Sequence, residues 1–437
     1  MIFYSVNHCQ PCSSNGYAVR SHGVANGLLA NGVKLIAASK PGGPWEKPGV
    51  VDGSFQLEHR IDGVRYIHTP LAPAAKESDH QFFKLATQAY IEAMRVFKPR
   101  VVMAASNWRN AKPARDAARH LGLPFLYEVR GFWEISIASR NPAWAQSADF
   151  QQYVAHEAEM AKSAEAVFTL NSLMAQELVR RGVDEARIHL VPNGFPGWPE
   201  ASPVAVTKAA LGLNTNHVVG YIGSFSAYEG LEWLIQAVAL LRQQGVDVGL
   251  LLVGSGESTG FGQGGAASCA VTASYVQLAQ SLGVADHVCM PGRVSSSMAN
   301  GYYELLDVVV IPRRPLPVCE LVSPMKPLEA ASHGKRVLMS NVAPLAELAP
   351  LSKQFSYFEK GSVASLVQAL KRLLAEPALQ PDRTEALSQR TWANNVKPMV
   401  DVIQAFTTTK VVWSLLGIPV DREQSFRRIV NTDSGLS

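Results

Sequence analysis

Short apolar runs alternate with segments of helical spacing along this chain, in two series separated by a break. In the first series the strand candidates are residues 1–6, 33–39, 63–68, 100–104, 124–129, 166–170 and 187–192. Helical patterns cover 17–29, 81–97, 111–121, 153–161 and 172–180. Residues 193–203 hold three prolines and two glycines and read as a linker. Alternation then restarts, with strands at 217–222, 248–253, 287–290, 308–311 and 336–339 and helices at 229–243, 275–282, 299–305 and 325–331. Strand, helix, strand in repetition makes right-handed βαβ units on a largely parallel sheet. The pattern therefore predicts an α/β protein of two tandem units, with 437 residues as enough chain for two cores. Ligands of such folds sit beyond the carboxyl ends of the strands, which places a site in a cleft between the units.

Composition narrows the partners. The chain is 47% hydrophobic and 17% charged, a globular profile. The net charge of +4 lies in the first half and is too weak and scattered for nucleic-acid binding. It suits either an ordinary solvated surface or contact with an anionic membrane. No apolar run is long enough for a spanning helix, and no basic-then-apolar leader opens the chain. The apolar stretch 411–418 is too short to span and reads as a packed terminal segment or a weak membrane-surface contact. Five cysteines form a sparse, odd set that fits a reducing cytoplasm.

Cys9 and Cys12, with His8 before them, follow the first strand. A structural zinc site needs about four ligands, and these make at most three. Residues 13–16 separate the pair from the next helix, unlike a thioredoxin-type dithiol. The pair is read as incidental, the approach to a glycine loop, and no metal site is assigned.

Three loops can hold a ligand. Residues 13–16 let backbone N–H groups at a helix start approach an anion, or form a tight turn with no ligand. Residues 221–230 repeat that logic with Gly223 and Gly230. Residues 311–334 are the most specific: Arg313, Arg314, Lys326, Glu320 and Glu329 gather after a strand. Ser323 and Pro324 predict a helix start there, with the serine as cap. Lys326 and Glu329 would share a helix face. Cations beside a helix start suit a diphosphate, and a carboxylate suits sugar hydroxyls. The glycine-rich residues 254–265 are read as a surface insertion rather than a phosphate cradle.

The stretches YEGLEWLIQAV, LLLVGSGE, VCMPGRV, YYELLDVVVIPR and VSPMKPLEAASHGKRVLMSNV together resemble the donor domain of family 4 glycosyltransferases. SNGYAVRSHGVANGLLANG and YEVRGFWE resemble the amino-terminal half of a bacterial branch of that family, and the likeness runs over residues 1–405. It implies a GT-B fold, two Rossmann-like domains facing across a cleft. Residues 1–195, joined by 390–437, would form the acceptor domain, and 204–389 the nucleotide-sugar donor domain. RTWANNVKPMVDVIQAF would be the helix that crosses back.

The resemblance also implies roles. Glu329 matches the glutamate that holds the ribose. Glu320 is the nearest match for its partner on the donor sugar, nine residues away where eight is usual. Backbone amides in the stretch Ser323, Pro324 and Met325 would hold the diphosphate, Arg293 would border the base, and Asn15 and Gly16 would face donor and acceptor. After Gly223 the family's arginine is replaced by Ser224, and before Gly230 its lysine is replaced by Glu229. Arg313 and Lys326 are the candidates to replace those cations, with Arg130 across the cleft where many relatives place a histidine. Arg130 could instead pair with Glu128 or Glu134. The implied activity is a retaining, metal-independent hexosyl transfer from a nucleoside-diphosphate sugar, without a cofactor, to a glycan or lipid-linked acceptor. Its setting would be surface-polysaccharide assembly at the cytoplasmic membrane face. The alternative is a non-catalytic GT-B protein that binds a nucleotide sugar or a partner. An epimerase on the same fold lacks support in the catalytic cluster.

Overall fold

The computed structural model describes residues 1–10, 12–13, 15–46, 56–71, 78–199, 206–256, 270–377 and 384–415. Most of the stretch 254–265 and residues 416–418 lie outside them. Two sheets carry the chain. The first contains β1 (Ile2–Val6), β2 (Leu35–Ser39), β3 (Glu58–Ile61), β4 (Val64–Ile67), β5 (Val101–Ala105), β6 (Phe125–Val129), β7 (Ala166–Thr169) and β8 (Ile188–Leu190), in the spatial order β3-β4-β2-β1-β5-β6-β7-β8. The second contains β9 (His217–Ile222), β10 (Val248–Val253), β11 (Val288–Gly292), β12 (Val308–Ile311), β13 (Arg336–Ser340) and β14 (Phe355–Phe358), in the order β11-β10-β9-β12-β13-β14. Among the described residues only the β3–β4 pair is antiparallel.

Strands β1, β2, β5, β6, β7 and β10 are buried along their whole length, because helices cover both faces. That is why they read as continuous apolar runs. β3 gave no such signal. It is an edge strand with exposed Glu58 and Arg60, and the pattern alone predicts only its neighbour. Asp62 and Gly63 close the hairpin with positive φ angles of 48° and 82°, the geometry an Asp-Gly turn favours. β14 and helix Val363–Ala375 also go beyond the predicted elements.

The last described helices return to the first domain. Val396, Met399, Val400 and Ile403 share a core with Ile2, Tyr4, Val24 and Leu28. Burying side chains of this size contributes about 1.5–3 kcal/mol each. Trp392 wedges between two glycine-bearing segments. A Cβ on Gly23 would come within 2.2 Å of its ring, and one on Gly194 within 2.5 Å. Phe195 N–H donates to Arg390 O at 2.7 Å, which pins the connection between the domains to the returning segment. No helix of the described residues is long and apolar enough to cross a membrane.

Candidate active site

Each sheet has one point where strand order reverses, between β1 and β5 in the first and between β9 and β12 in the second. Loops leaving β1, β9 and β12 meet there, where α/β folds place their ligands. Across the cleft, a Cβ on Gly16 would stand 3.6 Å from Met325 Cε. One on Gly131 would lie 3.7 Å from the Tyr17 hydroxyl and 3.8 Å from Val322. Asn15 caps its own helix, Gly16–Ala30, accepting from Ala18 N–H at 3.0 Å.

The β9 loop requires glycine. Gly223 has a φ of 151°, and a Cβ there would strike Lys326 Cε at 2.3 Å. Gly230, at φ 70°, would strike Pro312 O at 2.2 Å. Between them sits Glu229, 2% exposed. Arg313 Nη2 donates to its carboxylate at 3.2 Å, and Lys326 Nζ donates to the same oxygen at 3.3 Å. Burial by itself would raise the Glu229 carboxyl, but Arg313 and Lys326 outweigh it and hold the pKa below the usual range. The same carboxylate outweighs the effect of burial on Arg313 and raises its pKa. The Arg313 guanidinium also donates to Val322 O at 2.9 Å and lies over the Tyr228 ring. Lys326 Nζ lies 5.3 Å from the centroid of Tyr221, and its side chain is 21% exposed. The glutamate that stands in for the family's lysine thus gathers two cations from elsewhere.

Glu329 is half-buried, and its carboxylate makes no hydrogen bond or ion pair among the described residues. Burial raises its pKa, with Lys326 opposing. Arg293 follows the end of β11, where Gly292 O accepts from Gly254 N–H at 2.9 Å. Ser224 is exposed, and its carbonyl accepts from the Tyr221 hydroxyl at 3.0 Å.

Several sequence expectations change. The helix begins at Lys326, with Met325 at the cap position, so Ser323 and Pro324 precede it. Ser323 instead joins the domains. Its hydroxyl accepts from Asn171 Nδ2 at 2.7 Å and its carbonyl from Asn193 Nδ2 at 2.9 Å. Arg314 leaves the cluster and pairs with Glu232.

Glu320 is engaged elsewhere: one oxygen accepts from Ala343 N–H at 3.0 Å and the other from Lys360 Nζ at 2.6 Å. The position eight before Glu329 is Leu321, packed on the first domain's core. A glutamate on the donor sugar is therefore not supplied by Glu320 in this arrangement.

Arg130 is a second correction. All five of its N–H groups are taken, by Glu128, Tyr17 O, the Ser21 hydroxyl and the Tyr4 hydroxyl. Glu128 is fully buried and also receives Arg20 Nε at 2.9 Å. Burial would raise its carboxyl, but Arg130 and Arg20 bring it down to about 2. Arg130 is thus a structural ion-pair partner of Glu128, and it holds the helix that carries Tyr17 and Ser21. Sequence reasoning missed Asn171 and Asn193 as cross-domain ties, and no local signal marked them.

Residues 15–194 match a family model described as a glycosyl transferase 4-like domain, and residues 216–376 match one described as glycosyl transferases group 1. The chain is 24% identical over 405 residues to a glycogen synthase of Mycobacterium tuberculosis, covering 87% of each. Its fold resembles sucrose-phosphate synthase from Thermosynechococcus elongatus, with a TM-score of 0.62 and 19% identity over 95% of this chain and 99% of that one. It equally resembles Anabaena HepE in complex with UDP and glucose, with a TM-score of 0.62 and 16% identity over 95% and 99%.

Proposed function

We propose, from the premise that this chain belongs to the family 4 glycosyltransferases of GT-B fold, that it moves a hexose from a nucleoside-diphosphate sugar to an acceptor hydroxyl with retention. The observation that carries this reading is the pair Arg313 and Lys326 held side by side on Glu229, near the uncommitted carboxylate of Glu329. In the reaction the bond from the anomeric carbon to the diphosphate breaks, and negative charge grows on the leaving phosphate. A preorganised cation stabilises that charge without reorganising as it forms. Lys326 Nζ donates one N–H to Glu229 and keeps the others for the phosphate. Backbone N–H groups of Ser323 and Met325 add donors, Glu329 takes the ribose hydroxyls and Arg293 borders the base. The acceptor approaches from the side of Asn15, Gly16 and Tyr17. Its oxygen attacks the face the phosphate leaves, and its proton passes to the departing phosphate oxygen. The reading assigns no divalent cation to the diphosphate.

A relative that holds UDP and glucose supports a nucleotide-sugar donor. The acceptor is a glycan or lipid-linked glycan, in bacterial surface-polysaccharide assembly at the cytoplasmic membrane face. Nucleotide release from a panel of nucleotide sugars tests the reading. Wild type should release nucleotide from at least one donor, and Glu329→Ala should weaken donor use by about tenfold or more. A chain that binds a nucleotide sugar but never releases nucleotide with any acceptor is a non-catalytic member, and the transfer reading falls.

A further inference from the structure

The loop from β1 to helix Gly16–Ala30 carries Cys9 and Cys12, and the fold brings it a third ligand. His68 follows β4, two strands from β1 in the sheet. The sulfurs of Cys9 and Cys12 and a ring nitrogen of His68 all lie within 4.8 Å of one another. Tetrahedral ligands about 2.3 Å from one ion stand about 3.7 Å apart, so the three atoms need to close by roughly 1 Å at most. Cys9 and His68 are 2% and 3% exposed, and the two cysteines are thiols rather than a disulfide. His8, the histidine adjacent in sequence, stacks on Tyr17 instead.

We propose that Cys9, Cys12 and His68 bind one zinc ion, which ties the loop ending at Asn15 and Gly16 to the end of β4. Two thiols and an imidazole, with no carboxylate in the set, select a borderline-soft cation over calcium or magnesium. The Cys-x-x-Cys spacing lets both sulfurs of one loop reach a single ion, while the histidine comes from a separate strand. His68 has the outer partner that a metal-bound imidazole uses for orientation, since its Nδ1 lies 3.0 Å from Ser39 Oγ. Its Nε2 lies 3.1 Å from His59 Nδ1, close to the spacing of two nitrogen ligands on one ion. Binding releases the thiol protons to solvent. The ion acts at the base of the loop whose far end faces Met325, and this assignment stands independently of the transfer reaction.

The test uses the full chain without a histidine tag, reduced, stripped with a chelator and dialysed against Zn²⁺ or Co²⁺. About one ion per chain is expected, with cobalt–thiolate charge-transfer absorption and the intense visible bands of a tetrahedral site. Zn²⁺ should raise the melting temperature. Cys12→Ser alters a half-buried position, so it should keep the fold by circular dichroism. Its charge-transfer band should fall to roughly half, since Cys9 alone remains, and it should bind metal at least about tenfold more weakly; His68→Gln keeps both thiolates and should weaken metal binding by a similar factor. The proposal is overturned if the reduced wild type takes up no metal, if bound Co²⁺ shows no thiolate band, or if both variants bind Zn²⁺ as wild type does.

Discussion

Lys326→Met is the sharpest test of the cation clamp. The substitution keeps an unbranched stem over Gly223 and Tyr221 and removes only the ammonium. Glu229 stays buried but keeps Arg313 at 3.2 Å. The stability cost should therefore be about 1–2 kcal/mol, below the roughly 3–5 kcal/mol of stripping a buried charge of its sole partner. Losing a preorganised donor to the leaving group should cost roughly 3–4 kcal/mol in the transition state, a hundred- to thousandfold in turnover. Nucleotide release at saturating donor reads this directly, and kcat should fall far more than KM rises. A second variant separates chemistry from packing. Glu229→Gln leaves Arg313 buried without its carboxylate and should destabilise by several kcal/mol. In the double variant the neutral glutamine no longer needs Lys326. If Lys326 only stabilises Glu229, the double variant turns over no worse than Glu229→Gln alone. If Lys326 meets the phosphate, the double variant loses the further hundredfold. Turnover within about threefold of wild type in Lys326→Met would refute the assignment.

Arg130→Ala should lower stability by about 3–5 kcal/mol, because Glu128 keeps only Arg20 as a cationic partner. Thermal melting checks it, and lost turnover with unchanged melting would return Arg130 to the substrate. Gly23→Ala puts a methyl group 2.2 Å from the Trp392 ring and should cost about 1–3 kcal/mol by undocking the returning segment, visible as quenching or shift of tryptophan fluorescence. Glu157 gives a pH signature. Burial, then Glu134, raises its carboxyl from 4.5 to about 7. The folded state therefore binds more protons than the unfolded one between those values, and stability should fall as pH rises from about 4.5 to 7, by up to roughly 3 kcal/mol. Denaturant titrations of wild type and Glu157→Gln across that window should converge at the acid end and separate at the neutral end.

How much of this was legible without coordinates depends on distance along the chain. The glycines at 223 and 230 announce turns because the backbone there takes positive φ angles of 151° and 70°, which glycine adopts without strain. The Ser224 and Glu229 replacements were visible as departures from the family pattern. Arg130 and Glu320 were misplaced because a motif position specifies where a Cα lies, not which partner the side chain takes. Ala343 N–H and Lys360 claimed Glu320, and the Glu128 network claimed Arg130.

By itself the sequence determined the two α/β units and the glycine turns at 223 and 230, since strand and helix periodicity and glycine turns are local properties of the backbone. Tertiary structure decided which charges meet. Strand order sets the neighbours, and it carried Arg313 and Lys326 to Glu229, Asn171 and Asn193 to Ser323, and His68 to Cys9 and Cys12. Each of those contacts joins residues far apart in the chain. The balance between desolvation and Coulomb attraction that governs them exists only once both partners are buried together.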